Sequence, residues 1–154
     1  MKFQADDLQY GYERERKNHN RIETHLGVKI RKLDPYNVMD WKEITQDGDD
    51  TPPWLIEQKS RKVSYDFLVN TYSYNGRPTA LIGKNKLDHM KFNGGCGIVY
   101  FDFTDKLKYW VYDEEAYKTF DVEQKFKRGK REDCIDKFHP VVHIPCSVLK
   151  DVEV

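Results

Sequence analysis

The sequence has no apolar run that approaches the roughly 20 residues needed to span a membrane. It contains only three cysteines, Cys96, Cys134 and Cys146, and none of them shows Cys-x-x-Cys spacing. This odd, unclustered set predicts a reducing compartment and argues against a zinc site. Residues 1–7 also lack an apolar signal region, so we expect an intracellular protein that is not inserted in a membrane.

The formal net charge is zero, because 26 lysine and arginine residues balance 26 aspartate and glutamate residues. A balanced chain attracts phosphates weakly at long range, which weakens the case for a nucleic-acid partner without excluding it. The basic residues are clustered, and three clusters stand out, at residues 59–62, 84–91 and 125–131. A nucleic-acid partner would therefore have to bind at a local basic surface.

Familiar catalytic signatures are absent as well. Residues 94–97 are rich in glycine but lack the following Lys-Ser/Thr of a phosphate-binding loop. No serine has the flanking glycines of a nucleophile elbow. His139, His143 and Cys146 match no zinc spacing, and the apolar residues on either side of His143 predict a histidine on the open face of a strand.

What the sequence does contain is a charged motif inside an apolar segment, residues 54–59. Three apolar residues run directly into Glu57-Gln58-Lys59, and a short apolar run of this kind predicts a buried strand. The two-residue period of a strand places Glu57 and Lys59 on one face and Gln58 on the other. Burying a carboxylate beside an ammonium costs free energy unless the two groups hold something.

A second carboxylate, Asp40, lies in a similar apolar setting. Two carboxylates and a lysine are the groups that Mg²⁺-assisted phosphodiester hydrolysis requires, because the carboxylate oxygens hold the hard cation and the lysine offsets phosphate charge. The alternative is an ion pair of Lys59 with Glu57 or Asp40 that has no catalytic task. The residues alone leave both interpretations open.

Residues 5–26 predict an amphipathic helix, and Gly27 stands where a C-cap glycine belongs. The predicted inward stripe consists of Leu8, Tyr12, Glu15, His19, Ile22 and Leu26. Glu15 is a carboxylate on this otherwise inward stripe, and Glu13 is its competitor if the register differs. We expect His19 to be a partly buried packing residue.

The rest of the chain predicts alternating strands and helices. Residues 28–33, 38–44 and 54–59 are expected to form three successive strands. A short helix is expected at 65–69, and an apolar segment at 79–82 leads into a helix at 84–92. Residues 98–103 and 107–112 predict a hairpin. The remaining expectations are a helix at 114–126, a basic loop, a last short strand at 141–145 and a short C-terminal helix.

The order of these residues resembles a known nuclease signature. Asp40, followed after sixteen residues by Glu57-Gln58-Lys59, is similar to the Asp…Glu-x-Lys pattern of the PD-(D/E)XK nuclease superfamily, which includes restriction-endonuclease-like, lambda-exonuclease-like and resolvase-like enzymes. A helix followed by antiparallel strands, with Asp on the second and Glu-x-Lys on the third, is the core order of that superfamily. The resemblance implies an α/β fold with a restriction-endonuclease-like core, a mixed central β-sheet flanked by helices, in one domain spanning residues 1–154.

The resemblance also implies roles for individual residues. Asp40 and Glu57 would bind Mg²⁺ or Mn²⁺, with the backbone carbonyl of Gln58 as a third ligand. Lys59 would orient the attacking water or stabilise the charge that develops on the phosphate. Glu15 matches a first-helix glutamate that approaches the metal site in many members of the superfamily.

Contacts to DNA are assigned to basic residues near this site. Lys84 and Lys86 lie at the start of a helix that the superfamily packs beside the site, and Lys86 is the residue that would contact a phosphate. Arg61 and Lys62, which directly follow the Glu-x-Lys strand, would bind the DNA backbone.

Taken together, these assignments predict a Mg²⁺-dependent deoxyribonuclease, with endonuclease, exonuclease and resolvase types left open. A compact chain without a separate recognition domain would find DNA by its shape or ends, or would act as a homodimer or within a larger complex. The expected location is the cytoplasm, the nucleoid or the nucleus. A viral or phage origin is compatible with this expectation. The alternative is a catalytically silent scaffold of the same fold that binds nucleic acid or serves in assembly.

Overall fold

The computed structural model describes residues 2–33, 41–43, 54–126 and 138–152. In chain order, the elements within these ranges are α1 (Lys2–Leu26), β1 (Ile30–Lys32), β2 (Trp41–Glu43), β3 (Leu55–Ser60), α2 (Tyr65–Thr71), β4 (Thr79–Gly83), α3 (Lys84–Phe92), β5 (Gly97–Asp102), β6 (Leu107–Val111), α4 (Glu114–Tyr117), β7 (Asp121–Phe126), β8 (Phe138–Pro145), a 3₁₀ turn (Cys146–Val148) and β9 (Lys150–Asp151). The protein is therefore of the mixed α/β class.

The larger sheet has six strands in the order β1-β2-β3-β5-β6-β9. Strands β1, β2 and β3 form an antiparallel meander, as the sequence predicts. Strand β3 then runs parallel to β5, from the pair Leu55↔Gly97 to the pair Ser60↔Asp102, and β5 forms an antiparallel hairpin with β6. The sheet is therefore mixed, and this part of the predicted fold is confirmed.

Strand β5 lies in the interior of this sheet, and every one of its residues is buried. Its first residue is a glycine because the chain passes very close to α3 at this point. A Cβ atom at Gly97 would lie 2.4 Å from the Sδ atom of Met90, which is itself fully buried. The absence of a side chain at Gly97 allows α3 to pack tightly against the sheet.

Helices cover the two faces of the larger sheet, and each face has its own apolar core. On one face, Ile22 of α1 packs against a cluster that includes Ile56 of β3. On the other face, Leu87 and Met90 of α3 pack against a cluster that includes Leu55. Neighbouring residues of β3 thus serve opposite cores, as the two-residue period of a strand requires.

A second sheet of three strands, in the order β4-β8-β7, was not expected from the sequence. Residues 114–126 predict one helix, but the helix α4 ends at Tyr117 and β7 begins at Asp121. Strand β7 forms an antiparallel ladder with β8, and Glu123 of β7 hydrogen-bonds His143 of β8. This pairing joins β7 to a strand outside the segment 114–126, so contacts between strands override the local helical tendency.

The C-terminal region differs from its prediction in a similar way. A C-terminal helix is expected after β8, but Cys146–Val148 forms a single 3₁₀ turn. Strand β9 then pairs with β6, and the backbone N–H of Val152 donates to the carbonyl of Leu107. Burial of Leu149 and Val152 explains why the chain returns to the sheet instead of forming a separate helix.

The inward face of α1 matches the predicted stripe in part, because Leu26 and Glu15 also face the protein. Ile22 is fully buried as expected, but Tyr12 is 42% exposed. The buried face instead includes Asn18, and the Arg14 side chain reaches Asp102 of β5. A buried carboxylate is costly without a cationic partner, and this face of α1 supplies one to Asp102.

The structure also bears on two sequence features, membrane-spanning segments and cysteines. In the part of the chain that the structure describes, no helix combines the length and apolar character needed to cross a membrane. Cys96 and Cys146 are free thiols. Cys134 lies outside the described residues.

Candidate active site

The Glu-x-Lys motif lies on β3, as the sequence predicts. Glu57 is buried and pairs with Val99 of β5, whereas Lys59 is exposed near the end of the strand. Gln58 faces away from Glu57, and its side-chain amide donates to the hydroxyl of Ser60 at 3.0 Å. The motif thus places its carboxylate in the core and its ammonium at the surface.

The end of β3 forms a cavity with α1 that we call the β3 pocket. Its volume is about 420 Å³, and its lining residues are Tyr10, Gly11, Tyr12, Glu15, Glu57, Gln58, Lys59, Ser60, Arg61 and Lys62. Most residues that the sequence assigns to the site therefore line one cavity. Lys86 contacts Glu57, while Asp40 lies outside the described residues.

Glu57 has a cationic neighbour from α3. The Nζ atom of Lys86 lies 3.5 Å from Oε1 of Glu57, and the two side chains are 25% and 7% exposed. Lys84, at the first position of the same helix, pairs with Asp88 instead. The structure thus places the Lys86 ammonium against the Glu57 carboxylate, near the predicted site. There it offsets a buried negative charge.

Glu15 belongs to the β3 pocket, and Glu13 does not line it. Glu13 lies on the exposed side of α1, where Gln9 donates to its carboxylate at 2.9 Å. The structure therefore favours Glu15 as the helix carboxylate of the site. Glu15 also forms an ion pair with Lys32 of β1, and its side chain is only 13% exposed. His19 is partly buried beside Trp41, as expected.

Arg61 and Lys62 follow β3 and differ in how firmly they are held. The guanidinium of Arg61 donates to the carbonyl of Leu81 at 2.8 Å, and burial lowers the pKa of this group. Lys62 is exposed, and its Nζ atom lies 5.2 Å from the ring centroid of Tyr10. Arg61 is thus a fixed cation in the wall of the pocket, and Lys62 is an exposed cation at its surface.

The contact that positions α1 was missed by the sequence analysis. Arg14 binds Asp102 with two hydrogen bonds, of 2.6 Å from Nε and 2.8 Å from Nη2, and this contact raises the pKa of Arg14. Asp102 also accepts a hydrogen bond from Ser60 at 3.2 Å. No local pattern could reveal this pair, because 88 residues separate its members. The next residue after Arg14 is Glu15, so the pair holds the helix carboxylate at the pocket.

The second sheet encloses His143. His143 was expected on an open strand face, but it is 4% exposed. The second sheet covers it, because Thr79 of β4 and Glu123 of β7 hydrogen-bond its two ring nitrogens at 2.7 and 2.8 Å. Over the described ranges, no three histidine, cysteine, aspartate or glutamate side chains are grouped to hold a metal ion.

The β3 pocket nevertheless suits Mg²⁺ in the kind of ligand that it offers. Glu57 and Glu15 both line the pocket, and Mg²⁺ is typically bound by one or two protein carboxylates while it retains several waters. The two approach it from different faces of β3, because Glu57 contacts Lys86 of α3 whereas Glu15 belongs to α1, which packs on the Ile56 face. In sequence, Asp40 directly precedes Trp41, and Glu57 directly follows Ile56; Trp41 and Ile56 form a pair in the β2–β3 ladder. A cation bound here would compete with Lys86 and Lys32 for the two carboxylates.

Comparison of the chain with models of protein families, with curated proteins and with solved structures finds no match. The resemblance to the PD-(D/E)XK superfamily therefore rests on the residues of this chain alone.

Proposed function

We propose that the protein is a Mg²⁺-dependent deoxyribonuclease with a restriction-endonuclease-like core. The observation that carries this proposal is the composition of the β3 pocket. Glu57 and Lys59 from the strand, Glu15 from the helix and the cations Arg61 and Lys62 line a single cavity of about 420 Å³. Carboxylates for a hard cation and cations for a phosphate are the two requirements of metal-assisted phosphodiester hydrolysis.

The order of elements supports the same proposal. A first helix crosses an antiparallel meander, and the Glu-x-Lys motif lies on the third strand of that meander. This strand then pairs in parallel with β5 in the interior of the sheet. Such an arrangement gives the motif a rigid base, which catalytic groups need because small displacements are costly in rate. An intracellular location belongs to this proposal.

Each side chain has a distinct task in the proposed reaction. Asp40, Glu57 and the Gln58 carbonyl would hold Mg²⁺, which supplies a Lewis acid that lowers the pKa of a bound water, and Glu15 would approach the site from α1. Lys59 is exposed at the pocket, so its ammonium can approach a phosphate oxygen and stabilise negative charge there.

The two cations that follow β3 would hold the DNA backbone. Arg61 is fixed by its bond to the Leu81 carbonyl, and Lys62 extends from the adjacent surface. Contacts to phosphates place the DNA without reading its sequence. We therefore expect binding that depends strongly on salt and weakly on sequence.

A second candidate, the catalytically silent scaffold, is favoured by one observation. Both carboxylates of the β3 pocket that the structure describes have lysine partners, Lys86 for Glu57 and Lys32 for Glu15. These ion pairs offset the buried charges without any divalent cation. A scaffold of this kind would use the basic surface near Lys62 to bind nucleic acid without cleaving it.

Cleavage assays with matched variants test the nuclease proposal. Linear duplex and single-stranded DNA are incubated with Mg²⁺ or Mn²⁺, and with EDTA as the metal-free condition. We expect Lys59→Ala to lower the rate by roughly 10² or more, the scale of losing one charge-stabilising group, and Glu57→Gln to abolish metal-dependent cleavage. Lys91→Ala is the control, because Lys91 pairs with Glu114 at the surface. Cleavage that survives both site variants would contradict the proposal.

Metal binding separates the two candidates. If Asp40 and Glu57 hold the cation, millimolar Mn²⁺ should raise the melting temperature of the wild type, and Asp40→Asn or Glu57→Gln should remove that shift. Asp40→Asn should leave the metal-free melting temperature unchanged or higher, because it removes one of two neighbouring negative charges. A wild-type melting temperature that does not respond to Mn²⁺ supports the silent scaffold.

A further inference from the structure

A second cavity adjoins the β3 pocket, and we call it the β4 cavity. Its volume is about 470 Å³, and it lies between α2, the loop before β4 and the second sheet. The lining includes Arg61 and Lys62, which also line the β3 pocket. The two cavities are therefore adjacent and have a shared cationic border. No motif in the sequence pointed to this second cavity.

One wall of the β4 cavity is a rigid polar and aromatic unit. His143 accepts or donates hydrogen bonds at both ring nitrogens, with Thr79 at 2.7 Å and Glu123 at 2.8 Å. Tyr74 stacks on the same imidazole, with ring centroids 3.7 Å apart and an angle of 10° between planes. The Glu123 side chain is 33% exposed, so its carboxylate reaches the cavity with hydrogen-bonding capacity beyond the histidine.

The other lining residues are apolar, aromatic and basic. Val63, Leu68 and Leu81 supply the apolar surface, with Leu81 beside His143 in the β4–β8 ladder, and the Tyr72 side chain at the mouth is 55% exposed. A flat ligand that stacks on tyrosine, donates to a carboxylate and carries an adjoining anion matches every one of these surfaces. A nucleotide has these three properties, because its base offers a π-face and amino groups while its phosphate supplies the anion.

The size of the cavity agrees with such a ligand. Ligand-binding cavities typically measure about 300–1,000 Å³, and the β4 cavity lies in the lower part of this range at about 470 Å³. Arg61 is held at the border between the two cavities by its bond to Leu81. A phosphate bound at this border would place its nucleoside on the side of Tyr74 and its neighbouring phosphodiester on the side of Lys59.

We propose that the β4 cavity binds one unstacked nucleotide of the nucleic-acid substrate, next to the phosphodiester in the β3 pocket. The proposal rests on the proposed nuclease function and names its substrate class, strands that are single-stranded or frayed at this position. In a paired duplex the base would first have to leave the stack, at a cost of a few kcal/mol. Bases with exocyclic amino groups should bind better than thymine, because Glu123 accepts a hydrogen bond from such groups.

Fluorescence of 2-aminopurine tests the stacking without requiring cleavage. The probe is a short single strand with 2-aminopurine at one end, bound in Ca²⁺ so that no turnover occurs, and its affinity is followed separately by anisotropy. We expect binding to quench the fluorescence in the wild type. Tyr74→Leu should remove the quench and weaken binding by roughly 5- to 150-fold, the range that corresponds to one lost base–aromatic stack.

Matched variants guard against a simple folding defect. Tyr74→Phe keeps the ring and should keep the quench. Tyr72→Leu alters a side chain at the mouth that is 55% exposed and should reduce the quench in part. Phe92→Leu removes an aromatic residue that is 84% exposed on α3 and lines neither cavity, so it should change nothing.

The outcomes separate this inference from the nuclease proposal. Suppose that quenching depends on Tyr74 but the protein cleaves no DNA with Mg²⁺ or Mn²⁺. This result would support the nucleotide site and contradict the proposed nuclease function. Suppose instead that blunt duplex and single strand are cleaved at equal rates and that Tyr74→Leu does not change these rates. This result would support the nuclease function and contradict the nucleotide site. A strand that binds without quenching, or a failure to bind at all, also overturns the nucleotide site.

Discussion

Replacing Arg14 by methionine tests whether the α1–β5 ion pair holds the candidate site together. Methionine keeps most of the aliphatic stem of arginine and removes the guanidinium. Asp102, which accepts two hydrogen bonds from Arg14, would remain in the core at 1% exposure. The carboxylate would then keep only the hydrogen bond from Ser60, so much of its negative charge would be left uncompensated.

The expected cost follows from the burial of the two partners. Breaking a buried ion pair by removing one member costs about 3–5 kcal/mol. The Arg14 side chain is 21% exposed, and the Ser60 hydroxyl still donates to Asp102, so the lower value of about 3 kcal/mol applies. With a urea m-value of about 2 kcal/mol/M for a chain of this size, the unfolding midpoint should fall by about 1.5 M.

Urea denaturation of a double-mutant cycle provides the measurement. Asp102→Asn should restore much of the stability that Arg14→Met removes, because the double variant buries no uncompensated charge. Arg16→Met is the control, since Arg16 lies on the same helix with an exposed side chain. A loss below about 0.5 kcal/mol for Arg14→Met, the usual effect of a surface substitution, or strict additivity in the cycle would refute the reasoning.

Three further predictions concern pH, packing and salt. The backbone N–H of Ile30 donates to Glu23 and lowers the pKa of this carboxyl below its ordinary value of 4.5. The stabilising effect is present above that pH and is lost as the pH falls below it, so Glu23→Gln should make the free energy of unfolding depend less on pH in this acidic range. Gly97→Ala should cost about 1–3 kcal/mol because its methyl group overlaps Met90, and Met90→Ala in the same chain should recover part of that loss. Lys62→Ala should reduce the slope of log affinity for duplex DNA against log salt by about 0.9, the value for one phosphate contact.

Each of these predictions has a contrary outcome. An unchanged pH profile for Glu23→Gln would contradict the linkage argument. Equal stability of the Gly97→Ala variant and the wild type would show that α3 can move away from the sheet. Lys91→Ala should preserve the salt slope, whereas a slope that Lys62→Ala also preserves would place the phosphates elsewhere.

Elements with strong local signals were predicted well from the sequence. Helix α3 begins at Lys84 and ends at Phe92, the bounds that the sequence predicts, and the next residues, Asn93 and Gly94, terminate it. Strand β3 was indicated by its apolar run, and the β5–β6 hairpin by two apolar segments around a short turn. In each case the information lies within about ten consecutive residues, where periodicity and turn residues are sufficient.

Elements that depend on distant partners could not be predicted in this way. Strand β7 carries Asp121 and Glu123 on its inward side and exposes Val122, so its polar residues face the protein. That pattern is the reverse of an ordinary surface strand, and it follows from the partners Arg77 and His143. Without knowledge of these contacts, the sequence of this segment predicts a charged helix.

The candidate site divides along the same line. Glu57 and Lys59 were identifiable because charged residues inside an apolar strand are costly and therefore conspicuous. Tyr74, Thr79 and His143 were not identifiable, since they lie on a loop and two strands of a sheet that the sequence did not reveal. The β4 cavity is therefore a product of the tertiary fold alone.

The end of β3 links stability to the proposed chemistry. Asp102 pairs with Ser60 in the β3–β5 ladder, accepts the Ser60 hydroxyl hydrogen bond and binds Arg14, while its backbone carbonyl accepts the N–H of Arg61 at 2.8 Å. One buried aspartate thus fixes both the helix that carries Glu15 and the backbone of the cation between the two cavities. A substitution that loosens Asp102 should therefore weaken nucleotide binding in the β4 cavity and metal binding in the β3 pocket together. Independent behaviour of the two cavities in such a variant would show that their shared border is formed by other contacts.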